Sequence, residues 1–199
     1  MKLYSDEQLV INFLKGDKEA LEILIKRYLK PIYSFVLRFV GKNQEAEDIT
    51  QEVFVKVWRN LKKSTLSLSK GFNPKKGSFK TWIFTIAKNT CFDWLKKKRP
   101  ILFSELEKEM EGKSFAENIP DTSPLPNELS ERIDIDNFLN ELLEKLSPKY
   151  RTILLLRFND HFNFREIAEI LGESIDTVKT RYRRGIAILT KLLQNREPK

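Results

Sequence analysis

The chain has 199 residues, and its 36 lysines and arginines against 28 acidic residues give a formal net charge of +8. That excess favours a polyanionic partner such as nucleic acid, although charge alone does not identify one. One cysteine and one histidine exclude an intramolecular disulfide and leave little for a metal or nucleophilic site. The start MKLYSDEQ lacks the pattern of a signal peptide, and no apolar run is long enough to cross a membrane. The composition predicts a cytoplasmic protein without a cofactor.

Three parts are distinguished by the spacing of apolar residues. Helical spacing fills residues 1–99 and 132–196, and no strand-like alternation of useful length occurs. Residues 100–131 contain four prolines and little periodicity. We therefore predict an all-α fold: two small helical domains joined by a flexible acidic linker, with a helix-turn-helix in the C-terminal domain.

The charge distribution supports this division. Residues 78–99 and residues 149–199 each carry a net charge of +5, whereas residues 100–130 carry −5. Two basic modules therefore flank an acidic tether that DNA would repel. A solvated loop with no further role would have the same composition.

The first domain is predicted to contain four main helices, each identified by its capping residues or its apolar spacing. In chain order they are a helix capped by Ser5 and ending near Gly16, a helix over 18–29 that continues with a kink near Pro31 to Gly41, a helix over 43–61, and a helix over 78–98.

The third of these helices presents a polar stripe opposite its apolar one. The predicted outer residues, which are candidates for a partner surface, are Asp48, Gln51, Glu52 and Val55. A valine among polar residues suggests contact with another protein, although single exposed valines are common.

The fourth helix interleaves aromatic and basic residues. Rings can stack on unpaired bases while cations hold phosphates, which is the combination that single-stranded DNA requires. The alternative is that the rings belong to the core. The candidate DNA-binding residues here are Lys80, Trp82, Lys88, Asn89, Lys96, Lys97, Lys98 and Arg99.

Residues 164–193 have the spacing of a helix-turn-helix. Ala168 is small enough for two helices to cross, Gly172 can adopt the left-handed turn conformation, and Val178 fills the gap between the helices. Ser174 can cap the second helix. The outward residues predicted to enter a major groove are Lys179, Thr180, Arg181, Arg183 and Arg184. An ordinary helical hairpin with a solvated basic face is the alternative.

A shorter helix is predicted to precede this motif. Ser147 and Pro148 have the residue types favoured at the cap and first position of a helix. The following run over 153–156 is too apolar to face water, so we predict that it packs beneath the helix-turn-helix.

Three segments together resemble the extracytoplasmic-function sigma factors of the sigma-70 family, in the order that family has them. The segments are similar to its polymerase-binding helix, its promoter-melting helix and its C-terminal helix-turn-helix. They read EAEDITQEVFVKVW, GSFKTWIFTIAKNTCFDWLKKKRP and LSPKYRTILLLRFNDHFNFREIAEILGESIDTVKTRYRRGIAIL.

The resemblance implies a role for each segment. Asp48, Gln51 and Glu52 would contact the clamp helices of the polymerase's largest subunit. The loop 62–77 would hold a base flipped from the non-template strand of the minus-ten element, and residues 78–99 would grip the opened strand. The basic face of the helix-turn-helix would read the minus-thirty-five element, and the linker would run near the RNA exit path.

The implied partners are core RNA polymerase and promoter DNA, both as duplex and as melted strand. Many members of the family are also held inactive by an anti-sigma protein, which is a further candidate partner. The resemblance implies no catalytic activity of the factor's own.

Two other classes of protein remain as alternatives. A stand-alone regulator could carry the same helix-turn-helix, but it would usually need dimer symmetry on its DNA. A DNA-processing enzyme has no support, because the sequence contains no glycine-rich phosphate loop, zinc-ligand spacing or nucleophile–base arrangement.

Overall fold

A computed structural model of the chain describes residues 4–64, 72–73, 77–98 and 141–194. These ranges contain α-helices and no strand, which confirms the all-helical prediction for them. The helices are α1 Asp6–Leu14, α2 Lys18–Val40, α3 Asn43–Ser64, α4 Phe79–Lys98, α5 Pro148–Phe158, α6 Phe164–Leu171 and α7 Ile175–Gln194. Residues 141–144 are also helical. The predicted linker, 100–131, lies outside the described residues. No described helix is long and apolar enough to span a membrane.

Side-chain caps begin the first two helices. The backbone N–H of Gln8 donates to Ser5 Oγ at 3.2 Å, as predicted. At α2 the cap is Asp17, whose carboxylate accepts from the N–H of Glu19 at 3.0 Å. Each cap satisfies a backbone donor that would otherwise lack a partner.

Helix α2 runs without interruption through Pro31 and ends at Gly41, which has a φ of 78°. Pro31 is exposed, while Phe35 and Phe39 beyond it are buried. Burial of these aromatic residues stabilises the second half of the helix, because helix stability in proteins comes mainly from packing of the apolar face.

The predicted apolar stripe of α3 forms its buried face. Its members are Ala46, Ile49, Val53, Val57 and Leu61, all nearly inaccessible to solvent. This stripe packs against α2 and α4, and the rings of Phe35 and Phe84 meet edge to face at 5.6 Å between α2 and α4. The polar stripe of α3 is therefore directed away from this core.

The helix-turn-helix has the local geometry that its sequence predicts. Gly172 adopts a φ of 69° at the end of α6, and the N–H of Thr177 donates to Ser174 Oγ at 3.1 Å. Ala168 and Val178 are buried between the helices. The turn is fixed because one residue supplies the left-handed conformation and another caps α7.

The apolar run of α5 is buried at all four positions from 153 to 156, as predicted. Ser147 occupies the predicted cap position, although its side chain makes no cap hydrogen bond. Pro148 follows in the first turn, where its fixed φ is favourable and its missing N–H needs no partner.

Helices α2 and α4 pack against the C-terminal helices, which the sequence did not predict. The rings of Phe84 and Phe162 meet edge to face with centroids 4.9 Å apart, and Lys80 Nζ donates to the backbone carbonyl of Asp160 at 2.9 Å. Arg151 Nη1 donates to the carbonyl of Phe39 at 2.7 Å, close to the end of α2. The two helical groups, α1–α4 and α5–α7, are thus joined by both apolar and polar contacts.

Asp160 makes the stability of this interface dependent on pH. Its Oδ2 is buried without a hydrogen-bond partner among the described residues. Burial raises the pKa of Asp160 to about 7, although Lys80 and Arg38 lower it. Since the native state then retains a proton that the unfolded chain loses near pH 4, the free energy of unfolding falls as pH rises from about 4 to about 7.

Asp160→Asn is therefore expected to be more stable than the parent protein by about 1–2 kcal/mol at pH 8 and equally stable at pH 4. The amide removes the buried charge while keeping the shape of the side chain. Urea denaturation of both proteins at the two pH values measures the difference. A difference of the same size at both pH values would contradict the assignment to Asp160.

Candidate polymerase and nucleic-acid interfaces

The outer face of α3 is a continuous exposed strip. Asp48, Gln51 and Glu52 are all exposed, and 43% of the surface of Val55 is accessible. Because the opposite stripe is buried in the core, this strip is held on a rigid helix and is available to a partner.

Trp58 extends the strip and was not identified from the sequence. It is 41% exposed, and it lies three residues beyond Val55 on the same side of the helix. The ammonium of Lys62 lies 4.2 Å from the centre of its ring. The spacing of Val55 and Trp58 was the available signal, since paired exposed apolar residues mark a partner surface more strongly than one does.

Lys56 connects α3 to α4 and was also not identified from the sequence. Its Nζ lies 2.9 Å from Glu52 Oε1 and donates to Thr90 Oγ1 at 3.1 Å. The same nitrogen is 3.8 Å from Asp93 Oδ2. One ammonium therefore contacts both the outer strip of α3 and the basic helix α4.

Most of the aromatic surface of α4 serves the core. Phe84 is fully buried, and the half-buried Trp82 lies 5.4 Å from the ring of Phe72 and 5.5 Å from that of Phe79. Part of Trp82 remains accessible, so it alone among these four rings combines core packing with a free surface on which a base could stack.

The predicted cations of α4 fall into two groups. At its C-terminal end Lys96 and Lys97 are exposed, and Lys98 pairs with Glu45 while lying 4.7 Å from the ring centre of Trp94. Arg99 and most of the loop 62–77 lie outside the described residues.

The other group faces the C-terminal helices. Lys80 lies 4.2 Å from the ring centre of Phe162, in addition to its bond to the Asp160 carbonyl. Lys88 is half-buried, and this burial lowers its pKa while Glu173 raises it. Asn89, between the two groups, is exposed. The C-terminal half of α4 is therefore the part whose polar residues are accessible to solvent.

On α7 most of the predicted groove-facing residues are accessible. Those exposed to solvent are Lys179, Thr180, Arg183 and Arg184. Arg181 is half-buried and forms an ion pair with Glu173 at the turn. Four of the five predicted residues are thus accessible, and the fifth is held by a neighbouring carboxylate.

A groove separates α4 from the helix-turn-helix. Cations from both sides line it, namely Lys88, Lys96, Lys149 and Arg181, together with the acids Asp93 and Glu173. The two surfaces predicted to contact DNA therefore meet at one groove. Within the described ranges no group of His, Cys, Asp or Glu side chains is arranged to hold a metal ion.

Comparison with known proteins identifies the family of the chain. The chain matches Sigma-70 region 2 over residues 24–101 and Sigma-70 region 4 over residues 139–189. It is 34% identical over 182 residues to the ECF RNA polymerase sigma factor SigW of Bacillus subtilis, covering 91% of this chain and 92% of that one. It is 29% identical over 194 residues to the RNA polymerase sigma-H factor of Pseudomonas aeruginosa, covering 95% and 94% of the two chains.

Two solved structures share the fold. CnrH, in complex with the cytosolic domain of CnrY, gives a TM-score of 0.68 at 21% identity and covers 96% of this chain and 99% of its own. The sigma factor RpoE of Bartonella quintana, in complex with the anti-sigma factor NepR, gives 0.59 at 23% identity, with 88% and 98% covered. The chain belongs to the sigma-70 family as an extracytoplasmic-function sigma factor, which binds core RNA polymerase and directs it to specific promoters.

Proposed function

We propose that this sigma factor distributes its work over three surfaces: α3 binds polymerase, α4 holds the melted strand, and α7 reads the duplex. The observation that carries the proposal is the exposed strip of α3, in which Asp48, Gln51 and Glu52 adjoin exposed Val55 on a helix whose other face is buried. An exposed apolar residue beside two acids suits a partner that offers basic side chains around an apolar contact.

Charge and exposure support the two DNA roles. The C-terminal half of α4 presents Lys96 and Lys97 to solvent, where phosphates of an unpaired strand could reach them, and Trp82 remains partly accessible to a base. On α7, Arg183 and Arg184 are exposed on a helix that Gly172 and Ser174 orient. Such a helix can enter a major groove, where arginine side chains bind base edges or phosphates.

The division into residues 1–99, 100–131 and 132–199 is part of the proposal, with the linker connecting the two DNA-binding modules. We extend to this chain a partner of the anti-sigma kind, since RpoE was solved with NepR. The factor would act by binding alone, without catalysing a reaction, in the cytoplasm where polymerase works. A stand-alone regulator would not account for the match to Sigma-70 region 2.

Replacing Asp48 and Glu52 together by alanine is expected to weaken binding to core polymerase by about five-fold or more while leaving the fold intact. The two carboxylates are exposed, so their loss removes charge pairing with the partner, which is typically worth about 1–3 kcal/mol for two such groups. Titration of core enzyme with labelled factor measures the affinity.

The matched control removes two exposed acids elsewhere on the same module, Glu19 and Glu22 on α2. That variant should bind core polymerase as the parent does. Equal affinity of the Asp48→Ala/Glu52→Ala variant and this control would refute the assignment of α3 as the polymerase-binding surface.

A further inference from the structure

The ammonium of Lys56 lies between an acid of the proposed polymerase surface and an acid of the proposed strand-binding helix. It is 2.9 Å from Glu52 Oε1 on α3 and 3.8 Å from Asp93 Oδ2 on α4. By these distances Glu52 is the nearer partner in the free chain. The Lys56 side chain is one-third exposed, so its charge is neither fully screened by water nor fully buried.

A hydrogen bond to Thr90 limits how far this ammonium can move. Thr90 is buried, its hydroxyl accepts from Lys56 Nζ at 3.1 Å, and it donates to the carbonyl of Ile86 at 2.8 Å. The Thr90 hydroxyl thus donates its proton to Ile86 and accepts the hydrogen bond from Lys56. This second bond keeps the ammonium close to Asp93 whichever carboxylate it pairs with.

Asp93 is the only acidic residue of α4, a helix that carries five lysines. Its carboxylate is exposed at the groove that Lys88 and Lys96 also line. An uncompensated carboxylate at this place would repel the phosphates of a bound strand. Lys56 Nζ lies within ion-pair distance of this carboxylate, at 3.8 Å, and Lys96 and Lys97 lie three and four residues further along the helix.

We propose that Lys56 is a positioning residue that couples polymerase binding to strand binding. Glu52 and Asp93 compete for one ammonium. When polymerase engages the Glu52 carboxylate, Lys56 turns to Asp93 and neutralises the one negative charge on the strand-binding helix. The inference rests on the proposed role of Glu52, and by linkage a bound strand would strengthen polymerase binding by the same factor.

The test uses holoenzyme assembled from core polymerase and the full chain. The probe is a forked template that carries the melted minus-ten strand of a promoter mapped by run-off transcription with this factor. Lys56→Gln is expected to weaken template binding by holoenzyme about three-fold, as suits a partly exposed ion pair. Affinity for core polymerase should not fall.

Asp93→Asn separates this role from a structural one. If Lys56 acts by neutralising Asp93, the double variant Lys56→Gln/Asp93→Asn should bind the template as the parent does, because no charge remains to be neutralised. The free factor, in which the ammonium is nearer Glu52, should lose less affinity for the melted strand than holoenzyme loses. Thermal unfolding of each variant shows whether the fold is kept.

The matched control is Lys26→Gln. Lys26 lies four residues beyond Glu22 on α2, as Lys56 does beyond Glu52, with Nζ 4.0 Å from the carboxylate, and this variant should bind the template normally. The proposal is overturned if Lys56→Gln binds like this control, if Asp93→Asn does not rescue it, or if free factor and holoenzyme lose affinity equally. Failure of the polymerase surface would instead appear as unchanged core affinity in Asp48→Ala/Glu52→Ala.

Discussion

Arg151→Met is expected to lower the free energy of unfolding by about 3 kcal/mol, because it removes a buried guanidinium that satisfies several carbonyl groups at once. Arg151 is only 8% exposed. Besides Phe39, it donates to the carbonyls of Leu143 at 2.7 Å and Leu146 at 3.2 Å, and to that of Glu144. Methionine fills a similar volume but donates no hydrogen bond, so the carbonyls that water cannot reach lose their partner.

Urea denaturation measures this loss, and Arg165→Met on the exposed face of α6 serves as the control for removing an arginine. The control should change stability by no more than about 0.5 kcal/mol. Arg151→Lys should recover less than half of the loss, since an ammonium cannot reproduce the planar fork of donors. Equal stability of Arg151→Met and the control would show that these contacts contribute nothing.

Arg151 also shows where prediction from sequence reaches its limit. The helix boundaries, the left-handed turn at Gly172 and the cap at Ser174 were predictable, because each depends on residues within a few positions of one another. The bond from Arg151 to the carbonyl of Phe39 joins residues 112 apart in sequence. No periodic pattern encodes such a pair, so the contact between the two helical groups could not be predicted.

The residues of the candidate site also divide into those that a local pattern predicts and those whose contacts depend on distant segments. The exposure of Asp48, Glu52 and Val55 follows from the period of α3, because a buried stripe leaves the opposite stripe in solvent. Lys80 was predicted from the interleaving of aromatic and basic residues, but its contact with Asp160 depends on the placement of a distant loop. Lys56 was missed for the same reason, since its contacts with Thr90 and Asp93 depend on how another helix packs against α3.

The largest effect on promoter recognition is expected from Arg184. It is exposed on α7 and has no ion-pair partner within the described part of the chain. Loss of a base-reading arginine costs about 1–3 kcal/mol and relaxes specificity at one position, whereas loss of a phosphate contact weakens binding to all sequences alike. Arg184→Ala should therefore reduce transcription from a duplex promoter by about ten-fold or more.

Arg181, three residues earlier on α7, is expected to contribute less. To contact DNA it must leave the carboxylate of Glu173, and this competition reduces what the contact adds to binding. Arg181→Ala should therefore lose less activity on duplex than Arg184→Ala does. Glu173→Gln, which frees the guanidinium, should strengthen binding to duplex DNA in a salt-dependent manner.

A pair of templates distinguishes reading of the duplex from melting of the strand. Each arginine variant is assayed with polymerase saturated by the factor, once on duplex and once on a template already opened as a mismatched bubble. If α7 reads the duplex and α4 holds the melted strand, activity falls on the first template and is retained on the second. Lys191→Ala, a loss of charge near the end of α7, controls for the general effect of one cation fewer. Full activity of Arg184→Ala on duplex would refute the groove-reading role, and an equal loss on both templates would refute the division of labour between α7 and α4.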